Sequence, residues 1–267
     1  MITLSFSPCP NDIFALCALM QGHIPASCNW KIVLHDIETL NENAIKANSL
    51  RESATISKVS SGCLHALHGH YQLSCGMAHT EHAGPVLVTT QAAKNKSLKA
   101  LTMLSPGEHT TAFALACHLL EIGPSISHTR YDKIIPMLLE GVAESGILIH
   151  EARFTYASYG LEKAFDLGQL WQQKHSSPLI LATVVAHQSL SPDLIKAFIE
   201  DFRASLDWSW KHPEEALNFA TQYAQEKEAS IVKAHVQHFV SRYTYKASKD
   251  CLESLRQLGS HALPFDF

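Results

Sequence analysis

Gly146-Ile147-Leu148-Ile149 is uncharged, mostly large or branched and apolar, and it stops abruptly at His150. A run of this kind reads as a strand buried on both faces, the sort found in parallel sheets covered by helices. In open α/β sheets, ligands bind just beyond the carboxyl ends of the strands. Imidazole has an ordinary pKa of roughly 6.5 and moves protons near neutral pH. His150 therefore reads either as a proton-handling group at a cleft or as a structural histidine satisfied at a strand end.

The rest of the chain repeats that strand-then-turn-then-helix order. Ile2 to Ser7 reads as a strand, Ser7 to Asp12 as a tight turn, and the apolar positions from Ile13 to Met20 as a helix closed by Gly22. Trp30 to Ile37 is expected as a second strand and leads into a polar helix ending near Asn48. Ala54 to Ser57 is a short third strand, with Lys58 and Ser60 just past its end and a helix over Val59 to Leu67. Tyr71 to Met77 and Gly84 to Thr89 are further strands. A second series begins at Ala100 to Leu104. Thr110 and Thr111 precede its helix, where hydroxyls and free N–H groups suit an anion or serve only as caps. Leu179 to Ala186 is a long apolar strand, and everything after Ser191 is helical. The pattern is α/β in two lobes, 1–88 plus 186–267 and 89–185, with a ligand cleft between them.

Composition narrows the function. A chain of 267 residues holds two modest domains, and a net charge of −4 argues against nucleic acid as a partner. No apolar run reaches the roughly 18 residues that span a bilayer, and no secretory signal is visible. The seven cysteines form no C-x-x-C pair, which suits reduced thiols and a cytoplasmic setting. Seventeen histidines are present, densest at His65, His68, His70, His79 and His82. No cysteine or carboxylate spacing completes a metal pattern around them, so they read as solvated helix and loop residues and no metal is expected.

Several blocks together resemble the 1,4-dihydroxy-6-naphthoate synthases of the futalosine route to menaquinone. They are Ser5 to Asp12, Asp36 to Asn41, Ser57 to Ser60, Pro106 to Ala112, Ile149 to Tyr156 and Asp166 to Gly168. The resemblance implies a type II periplasmic-binding-protein-like fold with a central cleft and a helical C-terminal region. It implies a carbon–carbon lyase acting on a small-molecule substrate, cyclic dehypoxanthine futalosine, with no cofactor. The family's base maps onto His150. Its substrate-binding segments map onto Ser57, Lys58, Val59 and Ser60 and onto Thr110, Thr111 and Ala112, with Asn41 as a hydroxyl contact. Lys58 is expected to fix the ring carboxylate.

The chain departs from that family at Met77 to Ala83, where His79, Glu81 and His82 stand in place of small residues. The change is expected to narrow the pocket or alter the substrate. The pattern is also loosened around Trp171 and Ser176 to Leu179. Two other readings are carried: a chorismate dehydratase of the same pathway, and a non-catalytic or diverged binder of a small acid. The helical tail shows no clear apolar stripe that would mark an association face.

Overall fold

The computed structural model describes residues 2–50, 54–81, 84–260 and 263–265. Its strands are β1 (Ile2–Phe6), β2 (Trp30–Leu34), β3 (Thr55–Ser60), β4 (His70–Leu73), β5 (Ala78–Thr80), β6 (Val86–Thr89), β7 (Met103–Ser105), β8 (Ile126–His128), β9 (Ser145–Leu148), β10 (Glu162–Asp166), β11 (Leu179–His187) and β12 (Leu263–Phe265). Among the described residues they form two sheets. The first runs β12-β4-β11-β3-β1-β2, with β5 also paired to β11; the second runs β10-β6-β9-β7-β8.

Parallel pairing joins β2, β1 and β3 in the first sheet and β8, β7 and β9 in the second. Strand β3 and the turns after β1, β7 and β9 carry much of the site. Apolar residues of the first sheet pack with helices Pro10–Gln21, Pro192–Lys211, Pro213–Tyr223 and Ala229–Phe239 around Phe6, Phe14, Phe198 and Phe202. Prolines open three of those helices, where a missing N–H costs nothing. Separate apolar clusters fill the second lobe, around Leu104 and Leu148 and around Leu115 and Trp171.

Tertiary pairing overrides the local pattern in several places. The third strand continues through Ser60, because β11 pairs with it from Ile56 to Ser60. Lys58 and Ser60 therefore lie within a strand, and the expected helix over Val59 to Leu67 is a single 3₁₀ stretch, Ser61–Ala66. The strand expected from Tyr71 to Met77 ends at Leu73, and the chain turns through Gly76, whose φ of 72° suits glycine, before β5. The strand with His150 spans Ser145–Leu148 and ends two residues before it. The chain passes between sheets from Thr80 to Val86 and returns from Asp166 to Leu179. The crossings expected at 88/89 and 185/186 thus fall inside β6 and β11. β6 pairs with β9 and β10, whereas β11 pairs only within the first sheet.

A Cβ at Gly76 would stand 2.4 Å from Val184 Cγ2, in a backbone conformation that side chains rarely adopt. Left-handed strain and overpacking add, so Gly76→Ala is expected to cost about 2–4 kcal/mol. A urea midpoint lowered at unchanged slope is the expected result; an unshifted midpoint would show that Val184 yields freely.

Candidate active site between the lobes

The expected site residues divide by the geometry of β3. Side chains alternate along a strand. Lys58 and Ser60 border the cavity between the lobes. Val59, on the other face, packs into a core cluster with Cys63 and Leu64, and Ser57 is buried without bordering the cavity. Asn41 is also fully buried away from it. Its Oδ1 accepts from Ser60 N at 2.8 Å, and its Nδ2 donates to Ser60 Oγ at 3.1 Å and to Glu38 Oε2 at 2.9 Å.

Thr110, Thr111 and Ala112 all border the cavity. Thr110 caps helix Thr111–Leu119, accepting from Phe113 N at 3.2 Å and donating to Gly107 O at 2.8 Å. Thr111 ties the lobes together. Its hydroxyl accepts from Gly62 N at 3.0 Å and donates to Leu181 O at 2.5 Å. Glu38 makes a second tie, accepting from His109 N at 2.8 Å.

His150 sits at the turn after β9 with φ 53°, the sole non-glycine residue with positive φ among the described residues. Such a conformation costs energy and is held by its surroundings, here at a cleft. The ring stands edge-on to Tyr131 at 4.7 Å between centroids. Burial pushes its pKa down to about 4, partly countered by Asp12. It is therefore neutral near pH 7, the state a base requires.

Cys9, Asp12, Arg153 and His235 surround it, and the sequence alone assigns none of these four a role. Cys9, at the start of helix Pro10–Gln21, places Sγ 3.0 Å from His150 Nδ1 and 3.1 Å from His235 Nε2. His235 comes from helix Ala229–Phe239 and is buried; burial, then His150, hold its pKa well below the ordinary value. Burial, followed by the Glu151 and Asp12 carboxylates, pushes the Cys9 thiol up. Asp12 forms a buried ion pair with Lys58 at 2.7 Å and also accepts from Ser7 Oγ at 2.7 Å and Asn11 Nδ2 at 2.9 Å. Lys58 donates in addition to Gly76 O at 2.6 Å. Arg153 borders the same cavity and pairs with Asp166 at 3.3 Å, while its Nε and Nη1 are buried with no protein acceptor. Together they line a cavity of about 90 Å³ between the lobes.

Cys9, His150 and His235 are also the one group among the described residues whose ligand atoms converge as a metal would need, within 4.8 Å of one another. Hydrogen bonding speaks against that use. Asn11 Oδ1 lies 3.2 Å from His235 Nε2 and requires a hydrogen on that nitrogen, which removes the lone pair a metal would take. The histidines singled out in the sequence lie elsewhere. His70 and His79 are buried rather than solvated, and burial holds both near a pKa of about 4. His65 bonds Gly62 O at 2.7 Å, His68 is exposed, and His82 and Ala83 lie outside the described residues. His79 stacks edge-on to Tyr243 at 4.6 Å and does not border the central cavity. Trp171 is fully buried and donates to Ser177 O at 3.1 Å.

These neutral histidines predict acid sensitivity. An unfolded histidine titrates at roughly 6.5, whereas His70, His79 and His150 wait until about 4. Between those values the unfolded chain binds more protons, so stability falls as pH falls. Denaturant midpoints should drop steadily from pH 6.5 towards 4; a flat profile across that window would contradict the burial of these rings.

Among the described residues, no helix is long and apolar enough to cross a membrane. A family model described as "Menaquinone biosynthesis" matches residues 2–263. A Thermus thermophilus protein named 1,4-dihydroxy-6-naphthoate synthase is 34% identical over 98% of this chain and 93% of its own length. A Streptomyces coelicolor protein of the same name is 30% identical over 98% and 92%. The crystal structure of an Archaeoglobus fulgidus protein superposes with a TM-score of 0.89 at 28% identity, covering 97% of this chain and 95% of that one. A Candida albicans protein described as having the generic periplasmic binding protein fold superposes at 0.68 with 13% identity, covering 97% and 90%. The two-lobed α/β periplasmic-binding-protein-like architecture is thereby shown.

Proposed function

The chain belongs to the menaquinone-biosynthesis family, and we propose that it is the lyase that converts cyclic dehypoxanthine futalosine to 1,4-dihydroxy-6-naphthoate. The observation that carries the mechanism is a neutral imidazole, His150, lining a cavity between two lobes. Its role is that of general base, taking a proton from a carbon activated by a neighbouring carbonyl. A positioned base contributes typically 10²–10⁴-fold. The carbon's electron pair is left as an enolate, which the backbone N–H groups of Thr111 and Ala112, in the first turn of their helix at the cavity wall, suit as donors.

Of the expected substrate contacts, Lys58, Ser60, Thr110, Thr111 and Ala112 border the cavity. Asn41, Ser57 and Val59 support that wall from behind. Lys58 already donates to Asp12 and Gly76 O. Arg153, with two buried nitrogens lacking protein acceptors, is a second cation for the substrate carboxylate. The ties from Thr111 and Glu38 across the cleft exclude water when the lobes close.

The test is incubation of the purified protein with cyclic dehypoxanthine futalosine and detection of dihydroxynaphthoate by mass spectrometry. Product supports the reading. Retained but unchanged substrate would favour a binding protein of the same fold. Turnover of chorismate instead would favour the dehydratase reading.

A further inference from the structure

One thiol joins two imidazoles across the cleft, and the hydrogens they share are placed from outside the trio. The order starts at Lys58, whose ammonium donates to Asp12 Oδ1 at 2.7 Å. Asn11 Nδ2 donates to the same oxygen at 2.9 Å. An ionised carboxylate only accepts, so the Asn11 amide cannot be turned around. Its Oδ1 consequently faces His235 Nε2 at 3.2 Å, and a carbonyl oxygen there calls for N–H on Nε2. A second observation agrees. His235 Nδ1 is buried with no partner, and a hydrogen on it would be a donor without an acceptor.

With His235 donating from Nε2 towards Oδ1 and Sγ, the Cys9 thiol hydrogen is directed to the other imidazole, at His150 Nδ1. His150 then accepts at Nδ1 and carries its own hydrogen on Nε2. The basic nitrogen of His150 is thus the one covered by sulfur, and the thiol borders the same cavity.

We infer that Cys9 is the proton carrier between the substrate and His150. The inference rests on the reaction proposed above. The substrate C–H bond breaks and leaves its electron pair on carbon as the enolate. The proton forms a new S–H bond on Cys9 while the original thiol hydrogen passes to His150 Nδ1. Cys9 ends as a thiol and His150 as an imidazolium, and no other reactant is needed. Because burial keeps the thiol protonated, both transfers occur together without a free thiolate.

Two readouts test this. The first needs no substrate. Long-range ¹H–¹⁵N correlation spectra of the labelled protein near neutral pH report which His150 nitrogen bears hydrogen. Hydrogen on Nε2 is expected, and hydrogen on Nδ1 in the wild type overturns the inference whatever the enzyme catalyses. The second is turnover of cyclic dehypoxanthine futalosine. Cys9→Ala should lower kcat about hundredfold with KM changed by less than about threefold. Cys9→Ser should recover about tenfold of that loss, since a hydroxyl both donates and accepts. Unchanged kcat in Cys9→Ala, or a serine variant no better than alanine, overturns the carrier role. If the wild type makes no product, the proposed function fails while the tautomer result still decides the hydrogen pattern.

Discussion

Replacing His150 by asparagine is expected to lower kcat about 10²–10⁴-fold while leaving KM within a small factor. Asparagine is the informative choice because it tolerates the left-handed conformation that His150 adopts at φ 53°. Alanine would add backbone strain and blur a catalytic loss into a folding one. Asparagine also keeps polar atoms near Tyr131 and Cys9 but cannot take a proton near neutral pH. In the wild type, burial places the imidazole pKa at about 4 in the free enzyme. The acid limb of kcat/KM should accordingly lie well below pH 6.5, since activity needs the neutral ring and the ring stays neutral until about 4. Turnover by the asparagine variant close to wild type would remove His150 as the base.

The second large effect is on stability. Lys58 and Asp12 are both buried, with side chains only 3% and 4% exposed. Removing one member of such a pair leaves an uncompensated charge and costs about 3–5 kcal/mol. Lys58→Met should therefore lower the denaturant midpoint strongly, and it also strips Gly76 O of its donor. The double variant Lys58→Met/Asp12→Asn should be more stable than Lys58→Met alone, because the stranded carboxylate is gone. A double variant that loses the sum of both single losses would mean that the pair is not coupled.

Much of the fold and half of the site were legible in the sequence, for identifiable reasons. His150 was visible because an apolar run ends abruptly in a polar residue. Thr110 was visible because a threonine before an apolar helix reads as a cap, and it is one. Ala54 to Ser57 alone looks like a complete strand, which puts Lys58 and Ser60 past its end. The strand is longer since β1 and β11 hold it from both sides. Alternation then sends Ser57 and Val59 away from the cavity, which a contiguous motif does not reveal. The sequence pattern does not single out His235. Helix Ala229–Phe239 shows Val232, Val236 and Phe239 as an ordinary buried face, and His235 joins the site only through packing more than 200 positions from Cys9. The signal available was His235 and His238 one turn apart on that helix. Cys9 and Asp12 stood inside a recognised block, but their partners lie on other elements.

The place of β11 has a consequence for how the molecule is made. β3 and β4 are separated by few residues, yet they flank β11 rather than each other. The strand that joins them comes from residues 179–187, after all of the second sheet. During synthesis from the amino terminus, β4 and β5 stay separate from β2, β1 and β3 until that strand emerges. The second sheet, built from 86–166, has all its strands by then. The inserted lobe can fold first as a nearly local unit, and the outer lobe must wait for long-range closure, the slow kind. Until then β3 and β4 present unpaired edges, and a chain stalled before residue 179 is the species most exposed to aggregation.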